Sequence, residues 1–462
     1  MSKYLPTHLT KDDTVSKEEA EIILSETGKV IEDCIIPFIA KAQRIMDSAF
    51  VEWRGEGKYV YSPDGQKIFD CVGGGGVFGL GFAHPDVVEA VTLQAKRGGL
   101  CTRAGLVPGQ AELATKLRAI TPEKLSYVYF GNSGTEAVEA AIKLARLATG
   151  KKKLIGTHLG YHGMSIGTVS LSGINMWRDG VGPFLEGTEL VTHGSLAAME
   201  EAIDDDTAAV ILEPIQWASG CKVVADDYFT GVKALCEKHG ALLILDEVQT
   251  GLGRTGPKFA MEHWGVEPDL LCVGKILSGG MVPVSAVLYT QQVHKAERMR
   301  PLFNNSSFGG NPLACAAGIA TLNLLEDRYF ERALKLGNLL GEAFEELKEE
   351  FPLYLAGYHG HGLMRCLEFT SPLFGAVFSE WMRRDEGVLV AAMSHIPQFV
   401  RVSPPFICED KCIEELKQSC RNVMQNMAKQ TAQELFEDFS AAIQKVQVAL
   451  AEPVEDLEGA YQ

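Results

Sequence analysis

The sequence predicts an α/β fold in which a mostly parallel sheet carries helices on its faces. Three observations lead to that expectation. Apolar runs of strand length recur along the middle of the chain, at Lys153–Thr157, Ala208–Leu212, Ala241–Leu245, Leu270–Val273 and Val284–Tyr289. Most are apolar throughout rather than alternating, as strands buried on both faces are. Helical patterns such as Tyr228–His239 fall between them, which is the βαβ rhythm of strands joined by crossovers.

At 462 residues the chain exceeds one simple core, and two or three domains are expected. With 46% hydrophobic and 22% charged residues it can build a sizeable core, which argues against wholesale disorder. A net charge of -17 argues against nucleic acid or an acidic membrane as the main partner. An anionic cofactor remains compatible, because local donors make such a site. The eleven cysteines are odd in number and mostly set in apolar runs (Cys71, Cys236, Cys272, Cys315). They read as reduced, packed thiols and favour a cytoplasmic setting. Cys408 and Cys412 have near-metal spacing but no second pair, so no metal site is expected. The stretch MSKYLPTHLTKDD lacks an apolar leader core, and no run of about 18 apolar residues occurs, so no membrane association is expected.

In chain order, residues 1–20 are polar and read as loosely held. Apolar residues then recur at helical spacing from Glu19 to about Ser48, with a break or kink at Pro37. Glu52–Cys71 reads as short strands around a turn at Ser62-Pro63-Asp64-Gly65. Gly74, Gly76 and Gly79 match a dinucleotide fingerprint, as do Gly251, Gly253 and Gly256. Both fail, because His84-Pro85 and Pro257 interrupt the helix that must follow. Leu125–Arg146 is better formed: a strand at Tyr127–Phe130, a tight turn, then a helix with Ser133-x-x-Glu136 as a capping box. Val138, Ala141, Ile142 and Ala145 make its apolar face. Its start offers free amides and two hydroxyls to a phosphate, although a plain capped helix is an equally valid reading. Further on, residues 317–350 read as helical, Phe351–Glu368 and Gly387–Ser403 as strand-bearing, and Glu409–Val448 as one or two helices before an acidic tail.

The apolar runs ending in Asp246-Glu247 and Lys275 deliver an acid and an amine to the carboxyl edge of the sheet, where open α/β sheets bind ligands. A pyridoxal phosphate (PLP) site needs that pair. The amine holds the cofactor as a Schiff base, and the acid keeps the pyridine nitrogen protonated. Ordinary strand-end charges remain the alternative reading of these two residues alone.

Six ordered blocks go further: FGNSGTEAVEAAIKLAR (130–146), GYHG (160–163), ILEPIQ (211–216), ILDEVQTGLGRTG (244–256), CVGK (272–275) and SSFGGNPLACAA (306–317). Together, over roughly Trp53 to Met424, they resemble the class III (ω-amino acid type) PLP-dependent aminotransferases, and within that group the putrescine (diamine) type. The resemblance implies a fold-type-I architecture, with a large PLP-binding domain at 99–316. A smaller α+β domain would be built from both chain ends, 1–98 and 317–462. It implies Lys275 as the Schiff-base lysine and proton shuttle, and Asp246 as partner of the pyridinium nitrogen. Val248 and Tyr161 would cover the two ring faces, with His162 beside Tyr161 and Glu213 nearby. Gln249 would bond the phenolic oxygen, and Ser133, Gly134 and Thr135 the phosphate. Ser307, where the family commonly has threonine, would reach the phosphate of a neighbouring subunit, implying a homodimer and leaving tetramers open. Arg401 would hold the carboxylate of a 2-oxo acid or amino acid.

Two departures bear on substrate. Many glutamate- and ornithine-using members follow Glu-Pro-Ile-Gln with Gly-Glu, and that glutamate masks the arginine; here Trp217-Ala218 stand there, leaving Arg401 ungated. Gly75 lies where amino-acid-selective members often carry an aromatic, which leaves room for a longer chain, and Trp217 adds an apolar wall. The expected activity is therefore transfer of a terminal amino group from a diamine or other ω-amine to 2-oxoglutarate or pyruvate. GABA- or ornithine-type transamination is the nearer alternative. Racemisation, amino-group migration or decarboxylation on the same scaffold is the further one.

Overall fold

A computed structural model describes residues 14–35, 49–101, 104–297, 305–431 and 433–437. The expected break at Pro37, the second half of the first helix and the acidic tail lie outside the described residues. Among the described residues sixteen strands, β1 to β16 in chain order, fall into three sheets. The largest contains β4 (Tyr127–Gly131), β5 (Lys153–His158), β6 (Ser172–Gly173), β7 (Thr188–Val191), β8 (Thr207–Leu212), β9 (Leu242–Asp246), β10 (Leu270–Val273) and β11 (Ser285–Tyr289). Its order is β4-β11-β10-β9-β8-β5-β6, with β7 also paired to β5. All these pairings are parallel except those of β11, which runs against both β4 and β10.

The mostly parallel sheet matches the sequence expectation, and β11 departs from it for a topological reason. A parallel partner needs a crossover to return the chain to the starting edge. Residues 274–284 form only a short 3₁₀ turn (Lys275–Ser278) at the carboxyl edge, so β11 starts there and runs back. The apolar runs are buried on both faces, as expected. Leu243, Leu245, Leu271 and Val273 enter one core, while Leu242, Ile244, Leu270 and Cys272 enter the other. The helix Gly134–Thr149 packs on the second core through Val138, Ala141, Ile142 and Ala145, the predicted face.

The other two sheets are smaller. β1 (Arg54–Glu56), β2 (Tyr59–Tyr61) and β3 (Lys67–Asp70) form the expected hairpins, and β14 (Val388–Leu389) joins β3 in parallel. Segments more than 300 residues apart in sequence thus share one sheet. β12 (Leu355–His361), β13 (Met364–Phe369), β15 (Ala391–Met393) and β16 (Ile396–Val402) make an antiparallel sheet that carries Arg401. The N–H of Ser403 donates to the carbonyl of Cys71 at 2.6 Å and that of Phe406 to Gly79 at 2.8 Å, tying the end of β16 to the glycine-rich stretch. In that stretch Gly74 and Gly75 have positive φ within a single tight turn, so no dinucleotide helix follows.

Predicted helical residues 317–350 resolve into Pro312–Leu324 and Phe330–Glu350, joined by one π turn. The helix Asp410–Met427 packs against Phe330–Glu350 and Pro372–Glu386. Among the described residues no helix is long and apolar enough to cross a membrane.

Phe330–Glu350 lies so close to the β12–β13 turn that a Cβ on Gly337 would sit 2.4 Å from the Gly362 Cα. Backbone cannot yield as a flexible side chain does, and overpacking of this kind costs roughly 1–3 kcal/mol. Gly337→Ala is expected to lower the thermal midpoint and the denaturant midpoint without changing cofactor content. A variant as stable as the parent would contradict this packing.

Candidate active site

Five segments meet at the carboxyl edge of the large sheet because five strands end there. β4 leads into the helix Gly134–Thr149, β5 into Tyr161-His162, β8 into Glu213, β9 ends in Asp246, and β10 leads to Lys275. Asp246 pairs in register with Cys272, so the acid and the lysine sit on neighbouring strands. A cavity of about 160 Å³ opens between them, lined by Gly134, Thr135, Tyr161, His162, Gly163, Glu213, Asp246, Val248, Gln249 and Lys275. Nearly every cofactor residue named from the sequence therefore lines one space.

The Asp246 carboxylate is fixed from two directions. Its Oδ2 lies 2.7 Å from His162 Nδ1, and its Oδ1 accepts from the Val248 N–H at 3.1 Å. The sequence placed His162 beside the aromatic Tyr161; the fold brings it to the acid, 84 residues away in the chain. Burial draws the His162 pKa down, but the bond from Asp246 and the charges of Asp246 and Glu213 outweigh it and leave it raised. Its Nδ1–H consequently donates to Asp246. Glu213 is buried, and its Oε1 accepts from the Tyr161 N–H at 2.8 Å. Burial pushes its pKa up to about 8, the repulsion of Asp246 adds to this, and His162 and Lys275 oppose it.

Lys275 Nζ donates to Gln249 Oε1 at 2.6 Å. Its backbone takes φ +43, a left-handed conformation that costs a side-chain-bearing residue roughly 1–2 kcal/mol. Such strain collects at functional positions. Burial draws the lysine's pKa down to about 8, helped by the Arg401 and Arg254 cations and opposed by Asp246 and Glu213. Arg401 is buried at the end of β16. Its Nε donates to Ser403 Oγ at 3.1 Å, while its Nη2 has no partner among the described residues. A Cβ on Gly76 would stand 3.1 Å from that Nη2, so the glycine lets the backbone approach the guanidinium.

At the helix start, Ser133 is the N-cap, accepting from the Glu136 N–H at 3.2 Å. Only half of the expected capping box forms. The Glu136 carboxylate instead accepts from the N–H of Asn132 (2.7 Å) and from its side-chain amide (2.8 Å). The Gly134 and Thr135 N–H groups occupy the first turn, where amides lack helical acceptors. A Cβ on Gly134 would lie 2.7 Å from a Val248 methyl, which keeps that residue a glycine.

Trp217, Gly75 and Ser307, like Ser133 and Arg401, are not among the residues that line this space. Trp217 lies next to Tyr161 in an aromatic group with Trp177 and His395, at ring distances of 4.9 to 6.2 Å, and His395 Nε2 lies 2.8 Å from the Ala218 carbonyl. Gly75 has open space around its Cβ direction, and its φ of +70 itself favours glycine. Ser307 is exposed and lines a separate cavity of about 320 Å³ that shares no residue with the first. Sequence reasoning missed Trp177, buried Asp70, which accepts from the N–H groups of Val72 and Gly73, and buried Arg254. An acid three residues before a glycine run was the available signal for Asp70; nothing local marked the other two.

Residues 39–424 match the family of class-III aminotransferases. The chain belongs to that family. It is 37% identical over 428 residues to a putrescine aminotransferase of Pectobacterium atrosepticum, covering 89% of this chain and 91% of that one. Among solved structures, it is similar to an ornithine aminotransferase from Toxoplasma gondii (30% identity, TM-score 0.76, 81% of this chain and 90% of that one). It is also similar to an (S)-enantioselective ω-transaminase from Thermomicrobium roseum (27% identity, TM-score 0.81, 90% and 99%). An amine transaminase from an uncultivated Pseudomonas species, solved in its PLP-bound form, aligns at 28% identity with TM-score 0.76, over 82% and 95%.

Class III aminotransferases use PLP, and the donor set suits it. The buried Nε2 atoms of Gln249 and His162 have no hydrogen-bond partner among the described residues, and Gln249 Nε2 is a donor suited to an oxygen anion. Together with the helix-start amides and the anchored Asp246, this class III site offers donors for an anionic ring and phosphate, and an acceptor for a ring N–H.

An amine must be neutral to attack an aldehyde. With Lys275 drawn down to about 8, its neutral fraction rises as pH passes through that value. The rate at which PLP-free enzyme captures PLP, followed by visible absorbance, is expected to climb with a midpoint near pH 8. A midpoint near 10.4, the ordinary lysine value, would contradict this environment.

Proposed function

We propose that this class III aminotransferase moves the terminal amino group of a diamine or another ω-amine to a 2-oxo acid, 2-oxoglutarate or pyruvate, by a ping-pong cycle. The carrying observation is the unpartnered Arg401 Nη2 beside Gly76, with Ala218 where gated members have an acid. A buried guanidinium with a free donor suits a carboxylate, held bidentately. No glutamate at 218 competes for it, so the oxo acid has the arginine to itself. The amine side rests on the aromatic wall of Tyr161, Trp177 and Trp217, on the open space at Gly75, and on the likeness to a putrescine aminotransferase.

Bound PLP supplies an electron-drawing ring that allows a C–H bond of the attached amine to be broken. In our reading the chain's residues do the rest. Lys275 would hold the cofactor, and a depressed pKa suits an amine that must act as a proton acceptor near neutrality. Asp246, anchored by His162, would keep a proton on the ring nitrogen, and Val248 and Tyr161 would confine the ring. Gln249 would donate to the ring oxygen, Glu213 fixes the Tyr161 loop, and Ser133, Gly134 and Thr135 would receive the phosphate. Ser307 lies apart from this cavity, and we assign it to the phosphate of the other subunit in a homodimer. The eleven unpaired cysteines favour the cytoplasm.

A panel of diamines, long alkylamines and ω-amino acids, each paired with 2-oxoglutarate and pyruvate, tests the reading. A diamine is expected to give the highest kcat/KM and to consume oxo acid one for one. Best turnover with ornithine or GABA would replace the donor assignment. Lys275→Ala should abolish turnover of every donor, and a fully active variant would overturn the catalytic assignment.

Arg401→Ala is expected to lower kcat/KM for the oxo acid by about 10²-fold or more, the loss of one buried charged pair. The half-reaction with the diamine, measured in single turnover, should change much less. Equal losses in both halves would remove Arg401 from carboxylate recognition.

A further inference from the structure

Cys408 and Cys412, the near-metal pair of the sequence, belong to no grouping of three or more metal-binding side chains among the described residues. They meet a lysine instead. Lys58, in the turn between β1 and β2, places its Nζ 2.8 Å from the Cys412 sulfur, across 354 residues of chain. The Glu409 N–H donates to the same sulfur at 3.2 Å, and Cys412 is the third residue of the helix Asp410–Met427. Cys408 lies two residues before the start of that helix. The Lys58 ammonium stands 4.8 Å from the centre of the Phe69 ring, and the acid facing it, Glu415, is 3.8 Å away.

A sulfur that accepts from an ammonium and a backbone N–H at a positive helix end is stabilised as thiolate. The Cys412 pKa falls to about 5, chiefly through the bond from Cys408, with burial opposing and Lys58 adding to the fall. An inert packed thiol does not need a lysine brought from the other end of the chain.

We propose that Cys412 is a peroxide-reactive thiolate and that Cys408 resolves it to a disulfide. The Cys412 sulfur attacks one oxygen of hydrogen peroxide and the O–O bond breaks, leaving a sulfenic acid and hydroxide. The Cys408 sulfur then displaces the sulfenic oxygen, which leaves as water with the Cys408 proton. The two sulfurs lose two electrons, and the peroxide is reduced to water and hydroxide. Cys412 is 7% exposed and Cys408 1%, which admits an oxidant the size of water better than a bulky disulfide.

Cys34 provides the control, because it is an exposed free thiol that accessibility alone would oxidise first. PLP-loaded enzyme is treated briefly with hydrogen peroxide, alkylated, and mapped by peptide mass. A linked Cys408–Cys412 peptide is expected to form roughly tenfold faster than Cys34 is lost. Lys58→Met should slow that oxidation by roughly threefold or more, because the ammonium that contacts the sulfur is removed, while transamination is retained. Cys408→Ser should stop at a sulfenic acid on Cys412, which dimedone captures. Oxidation of Cys34 with Cys412 still alkylatable would overturn the proposal, as would a Lys58→Met variant that oxidises at the parent rate.

Discussion

The site depends on the register of two adjacent parallel strands. β9 and β10 pair so that Asp246 stands opposite Cys272, and Lys275 follows one short step beyond. Both strands are buried on both faces, and a slip by one residue would exchange every side chain between the two cores. Leu243, Leu245, Leu271 and Val273 on one side, and Ile244 and Cys272 on the other, therefore position the acid and the amine as firmly as any contact within the site does. The chemistry inherits its geometry from the hydrophobic packing.

Alternation along β9 also separates two neighbouring acids that the sequence presents together. Asp246 faces the cavity and His162. Glu247 turns away and accepts from the N–H groups of Ala260 and Met261 and from the Thr250 hydroxyl, holding the following loop; burial pushes its pKa up to about 7. Lys275 lies within the fields of Glu213 and Asp246 and of the Arg401 and Arg254 cations. In such a setting burial drives amine and acid toward neutrality, and opposite charges pull them back. A lysine balanced in this way gains and loses a proton more readily than one in bulk water. Perturbation of this kind gathers where a protein does chemistry.

Much of the fold was legible because it is local or periodic. The fully apolar runs announced strands with two buried faces, and Val138, Ala141, Ile142 and Ala145 announced the face of the helix that covers them. Local reading failed where a choice lay between competing partners. Glu136 had both Ser133 and Asn132 within reach and went to Asn132, so the capping box closed only halfway. The direction of β11 followed from the absence of a crossover helix after Lys275, which no strand propensity encodes.

The sequence by itself determined the strands, the order of the blocks that mark the family, and the identity of the acid and the amine at the sheet edge. These are properties of composition and spacing over a few tens of residues. Only the tertiary structure decided that His162 braces Asp246, that Arg401 keeps a free donor beside Gly76, and that Lys58 meets Cys412. Those pairs are separated by 84 to 354 residues, and their distances follow from how the sheets and helices pack, which a linear pattern does not contain.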